Sequence, residues 1–159
     1  MPAGKSATKP TMVMASSSIG VTELLKKASE LSQAHVIQLF DPDSVCCPEH
    51  LSWAYLNAKT LFSNKENRAK APAVEMLLCA SLSSQISDSI NRMGAKSSKR
   101  FILFSDSTSS YRQMSKYLRN VSEFKISKKE AEARIRRLGI VSGQVEDLAQ
   151  EIAFHAMER

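Results

Sequence analysis

The sequence has little of what small enzymes and secreted domains depend on. Its five glycines are scattered through 159 residues. None falls in the run that a phosphate-cradling loop needs, which excludes a Walker-type site. No G-x-S-x-G nucleophile elbow is present. The cysteines, Cys46, Cys47 and Cys79, are three in number and two are adjacent. A disulfide between neighbours is strained, so a secreted cystine framework is not expected, and no C-x2-C spacing marks a zinc site. They read as small buried hydrophobes in a reducing cytosol. The histidines His35, His50 and His155 fall on three different expected elements, a pattern of structural groups rather than ligands. The longest apolar stretches, such as Val74 to Ala80 with Glu75 inside, fall far short of the roughly 20 residues that span a bilayer. Residues 1–10 carry Lys5 and Lys9 with no hydrophobic block after them, unlike a secretory signal. They read as a flexible tail ahead of one domain over 11–159.

What is present is an ordinary globular composition, 43% hydrophobic and 24% charged. At this length folding buries roughly 70% of the unfolded surface, so no metal or disulfide staple is required. The net charge of +6 and pI of about 9.3 favour an anionic partner, with nucleic acid the usual one. A solvated basic surface explains the same numbers, and composition does not separate the two.

Thr11 to Ala15 reads as a strand. Thr22 is placed to cap a helix through Ser32, with Leu24, Leu25, Ala28 and Leu31 on one face. His35 to Phe40 is a second strand, closed by the turn signal Asp41-Pro42-Asp43. Pro48 and Glu49 open the clearest helix, whose inner face is Leu51, Ala54, Tyr55, Ala58, Leu61 and Phe62. Ser63 to Lys70 reads as a loop. In 73–81 the alternation of Val74, Met76 and Leu78 predicts a strand, although Ala, Met, Leu and Glu are good helix formers. Glu75 then belongs on that strand's exposed face.

Ser83 or Ser84 is expected to cap a short helix with the stripe Ile86, Ile90 and Met93, ended by Gly94. Arg100 to Phe104 reads as a buried strand, Tyr111 to Leu118 as a helix and Val121 to Ile126 as a further strand. Ser127 caps a basic helix with Ala131, Ile135 and Leu138 inward and Lys128, Lys129, Arg134, Arg136 and Arg137 mostly outward, stopped at Gly139. A last helix runs from about Gln144 to Met157. The expected class is α/β in the α+β sense: one small domain with a mixed or antiparallel central sheet flanked by helices. Asp41 and Asp43 bracket a proline and are explained by their turn. No constellation asks for an enzyme, so no catalytic residue, metal, cofactor or small-molecule substrate is expected, nor any membrane partner.

The order of several marks resembles a known family. These are His35 and Gln38, Asp41-Pro42, Glu49-His50-Leu51, Asn57-Ala58, Glu75 with Leu77-Leu78, Gln85-Ile86 and Met93-Gly94. Together they look like the small kinase-binding subunit of the KEOPS complex, the TPRKB-like family, in its compact archaeal form. The likeness spans about 31–105 closely and 121–157 loosely. It implies a non-catalytic, cytoplasmic subunit that binds the N-lobe of an atypical kinase in an assembly that installs threonylcarbamoyladenosine in tRNA. It further implies help in holding the tRNA 3′ CCA end. On this resemblance the kinase contact maps to the C-terminal helix stripe Val145, Leu148, Ile152 and Met157, although helical spacing alone fits a stripe packed on its own sheet equally well. The tRNA contact maps to Lys59, Lys65, Arg68, Lys70, Ser84, Gln85, Arg92 and Lys96. Relatives often carry Gly and Arg in the turn where this chain has Ser83-Ser84, so a bidentate donor is missing there. A free-standing basic RNA-binding module is the alternative, and affinity purification separates it from a kinase adaptor.

Overall fold

The computed structural model describes residues 9–33 and 35–158. The expected tail, 1–10, lies almost wholly outside the described residues. Four strands are present among them: β1 (Thr11–Ser17), β2 (Ile37–Phe40), β3 (Phe101–Ser105) and β4 (Leu118–Ser122). The helices are α1 (Val21–Leu31), α2 (Pro48–Ser63), α3 (Pro72–Ser81), α4 (Ile86–Met93), α5 (Thr108–Ser115), α6 (Lys128–Arg137) and α7 (Val145–Met157).

The strands pair in the order β2-β3-β1-β4, and every pairing is antiparallel. The α+β class is therefore as the sequence indicates. Side chains alternate across the sheet. Val13, Ala15, Ile37, Leu39, Phe101 and Leu103 face a layer containing Leu24 and Ala28 of α1 and Met114 of α5. Met12, Met14, Phe40, Ile102 and Phe104 face the other layer, built from α2, α3 and Ala156 of α7. Strand β2 is closed at its outer side by the chain after α4, through a Phe40–Gly94 bridge and an Asp41 N–H bond to Met93 O at 2.8 Å. Strand β4 is the open edge.

Several expectations change. Residues 73–81 are helix α3, not a strand, and Glu75 is fully buried rather than on an exposed face. A helix covered on nearly every side shows no clear 3.6-residue stripe, so its apolar letters carry little period to read. Proline at the first turn and strong helix formers decide the element. The expected strand 121–126 is shifted to 118–122, and the expected helix 111–118 ends at Ser115. Strand β4 is a mostly exposed edge with a bulge against β1 and Asn120 at φ 53°, so alternation is erased. Helix α1 begins behind Gly20 with no side-chain cap, and Thr22 lies inside it. The Ser127 cap is as read, its hydroxyl accepting Glu130 N–H at 3.1 Å, and Gly139 ends α6 at φ +97°.

Met76, at the centre of α3, is fully buried. Met76→Ala is expected to cost about 2–5 kcal/mol in urea unfolding, whereas Leu56→Ala on the exposed side of α2 should stay within about 0.5 kcal/mol.

Candidate functional site

Around α3 the buried polar side chains form one system. At its N-terminal end Gln38 of β2 donates from Nε2 to Ala73 O at 3.0 Å, while its Oε1 accepts Leu39 N–H. The Glu75 carboxylate accepts the backbone N–H groups of Arg68 and Ala69, which fixes the loop entering the helix. At the C-terminal end Leu82 adopts the left-handed conformation at φ 58°. The carbonyls there are taken by side chains from three other helices. His50 of α2 donates to Ala80 O at 2.8 Å, Arg92 of α4 to Ser81 O at 3.4 Å, and His155 of α7 to Ser83 O at 2.9 Å.

His50 is fully buried, and its Nδ1 accepts Cys46 N–H at 3.1 Å. The carbonyl partner requires the proton on Nε2, so the neutral tautomer is fixed. Burial, only partly offset by the Ala80 carbonyl, lowers its pKa to about 4. Burial likewise pushes the Cys46 and Cys47 thiols up to about 12, which makes both inert as nucleophiles. Cys79 is buried too. Among the described residues, no group of three or more His, Cys, Asp or Glu is placed to hold a metal.

Two clefts flank α4. The first, about 460 Å³, lies between α1, β2, the start of α3 and α4; its walls include Leu25, Leu39, Val74 and Ile90, with Lys70 at the entry to α3. The second, about 480 Å³, gathers Asp43, Arg92, Arg134 and Arg137. Exposed apolar side chains lie on α4 (Ile86 and Ile90, 43% and 49% exposed) and α7 (Phe154 and Met157, 56% and 78%). The His155–Ser83 bond sets the last turn of α7 beside the turn that starts α4.

The structure distributes the sequence candidates unevenly. Leu148 and Ile152 are fully buried against Cys46, Cys47, Ile135 and Ile140, with Val145 half-buried at that cluster. The stripe marked by spacing thus faces the chain's own core, a correction; of the four residues, Met157 alone is open. Helical spacing identifies an apolar side and not what covers it. Lys70 lines the first cleft and Arg92 the second. Lys96 donates to Asn91 O and Gly94 O and so completes the carbonyl end of α4. Lys59 lies over the Tyr55 ring at 5.5 Å. Lys65, Arg68, Ser84 and Gln85 are exposed and line neither cleft. Arg134 and Arg137, which spacing assigns to a solvated face, are brought to Arg92 by tertiary structure alone.

Among the described residues, the antiparallel α+β domain engages its interior polar side chains in internal bonds and leaves large apolar side chains open on α4 and α7. A family model described as kinase binding protein CGI-121 matches residues 17–142, most of the chain, and the chain belongs to that family. The match stops short of α7. No curated protein matches the sequence. Among the described residues, no helix is long and apolar enough to cross a membrane.

His50 gives the fold a defined acid sensitivity. Above pH 6.5 the ring is neutral in both states. As pH falls from 6.5 toward about 4, the unfolded chain takes up a proton that the folded ring refuses, so stability decreases by up to about 3 kcal/mol. Urea unfolding between pH 7 and 4.5 should show this slope, and His50→Gln should flatten it.

Proposed function

We propose that the chain is the non-catalytic kinase-binding subunit of a KEOPS-type, tRNA-modifying assembly in the cytoplasm. In this reading it docks an atypical kinase through the open apolar end of α7 and the start of α4, and receives the tRNA 3′ end at the first cleft. Membership of a kinase-binding family carries the first part. Phe154, Met157 and Ile86 support it, because large exposed apolar side chains beside one turn suit the anchors of a protein interface. The inert thiols and fully engaged His50 agree with a protein that binds rather than reacts.

The RNA part is supported by the first cleft. An apolar recess with one lysine at its rim suits a splayed base with its phosphate outside. The chain's charge of +6 assists such binding.

Two measurements test these parts separately. Phe154→Arg combined with Met157→Arg should abolish co-purification with the kinase and leave the thermal midpoint within a few degrees of wild type. Retained binding would sink the α7 surface. In gel shifts, tRNA lacking its CCA end should bind at least several-fold more weakly than intact tRNA, and Val74→Glu should erase that difference. Equal binding of both tRNAs by the wild-type chain rules out the 3′-end reading.

A further inference from the structure

Charge spacing alone reads α6 as a solvated basic face, yet two of its arginines close the second cleft with Arg92. Arg134 is fixed there at 12% side-chain exposure. Its Nη1 donates to Pro42 O at 2.5 Å and Val45 O at 2.9 Å, and its Nε to Glu130 at 3.1 Å. A guanidinium holds two further donors on its other terminal nitrogen. Arg137, 63% exposed, spends one contact on Glu130 at 3.2 Å, and Arg92 makes its long bond to Ser81 O. Two carboxylates offset this charge: Glu130, held by Arg134 and Arg137, and Asp43, held by Arg100 at 2.7 Å. Four guanidinium groups therefore meet two carboxylates, and the surplus is positive.

The carbonyl ends of α4 and α6 also border this cleft, and a cation is favourable beside either. Arg92, Arg134 and Arg137 all lie in those last turns, and Arg134 spends its bonds tying the 42–45 turn to α6. Arg92 and Arg137, both exposed, keep donors in excess of their internal bonds. Forked donors around a shallow recess are the chemistry that holds a phosphate oxygen pair.

We propose that this recess is a phosphodiester site for the RNA backbone, an inference that rests on the tRNA reading above. Ile90 and Gly94 line the apolar cleft, while Arg92 and Met93 line the arginine cleft. The two recesses thus lie on either side of one helix, about 10 Å across. A strand that places its terminal base in the first meets the guanidinium groups within a helix width.

The test is tRNA affinity of the full chain, followed by fluorescence anisotropy over a range of salt concentrations. Arg92→Ala with Arg137→Ala should weaken binding roughly ten-fold at about 0.1 M salt and flatten the slope of log affinity against log salt by about 1–2. The corresponding Lys pair should restore most of the slope but not all of the affinity. Arg112→Ala, on α5 across the sheet, should change neither, which controls for the loss of a positive charge remote from the recess. Should the Ala pair behave as wild type, or no differently from Arg112→Ala, the phosphodiester site is wrong while the 3′-end reading stands. Failure of the wild-type chain to bind tRNA overturns both.

Discussion

A helix buried along all but its first turn cannot leave its ends to water, and α3 imposes that constraint on the whole chain. Each terminus of a helix exposes backbone groups with no partner inside it, and an unpaired buried group costs about 1–3 kcal/mol. At the N-terminal end of α3, Pro72 removes one donor outright and the Val74 and Glu75 N–H groups bond Ala71 O, each at 3.1 Å, while Gln38 adds a side-chain bond to Ala73 O. At the C-terminal end the carbonyls are met by Ser81, His50, Arg92 and His155. Three of these come from α2, α4 and α7, so satisfying one helix sets the positions of three others.

The same bonds shape the surface. Glu75 holds the Arg68 and Ala69 amides, and the chain that follows, Lys70 to Val74, forms a wall of the apolar cleft. Arg92 reaches the end of α3 and from there borders the arginine recess. His155 fixes the end of α7, whose outer side carries Phe154 and Met157. The ionisable groups of the interior are thereby kept neutral or engaged. His50 is fixed as one tautomer, and Cys46 and Cys47 are desolvated thiols. What remains available to other molecules is on the rims and helix ends.

Legibility from sequence followed the physics of exposure. Helix α2 was readable because one face is wet and the other dry, which imprints the 3.6-residue period on Leu51, Ala54, Tyr55, Ala58 and Leu61. Strand β3 was readable as a short apolar run, and α6 by its serine cap and terminal glycine. Helix α3 was not, since a dry element has no pattern, and β4 was not, since a wet one has none either. Leu148 and Ile152 show a different limit. Their spacing is correct for an apolar face, but whether that face meets Cys46 and Ile135 or another protein is a tertiary fact. Arg92, Arg134 and Arg137 are likewise united only by the fold.

The turn from Leu82 to Gln85 illustrates why motif letters alone are an incomplete guide to the proposed RNA contact. Ser83 is buried: its hydroxyl accepts Gln85 N–H at 3.1 Å, its carbonyl accepts from His155, and its N–H bonds Ser81 Oγ at 3.3 Å. Those bonds close the end of α3 and lead the chain into α4, so Ser83 acts inside the molecule. Ser84 and Gln85 are exposed but carry no charge. Charge at this end of the domain comes instead from Lys70 on one side of α4 and from Arg92, Arg134 and Arg137 on the other. The absence of arginine from the turn is therefore no obstacle to a basic surface around α4, because that surface is assembled from three segments far apart in sequence.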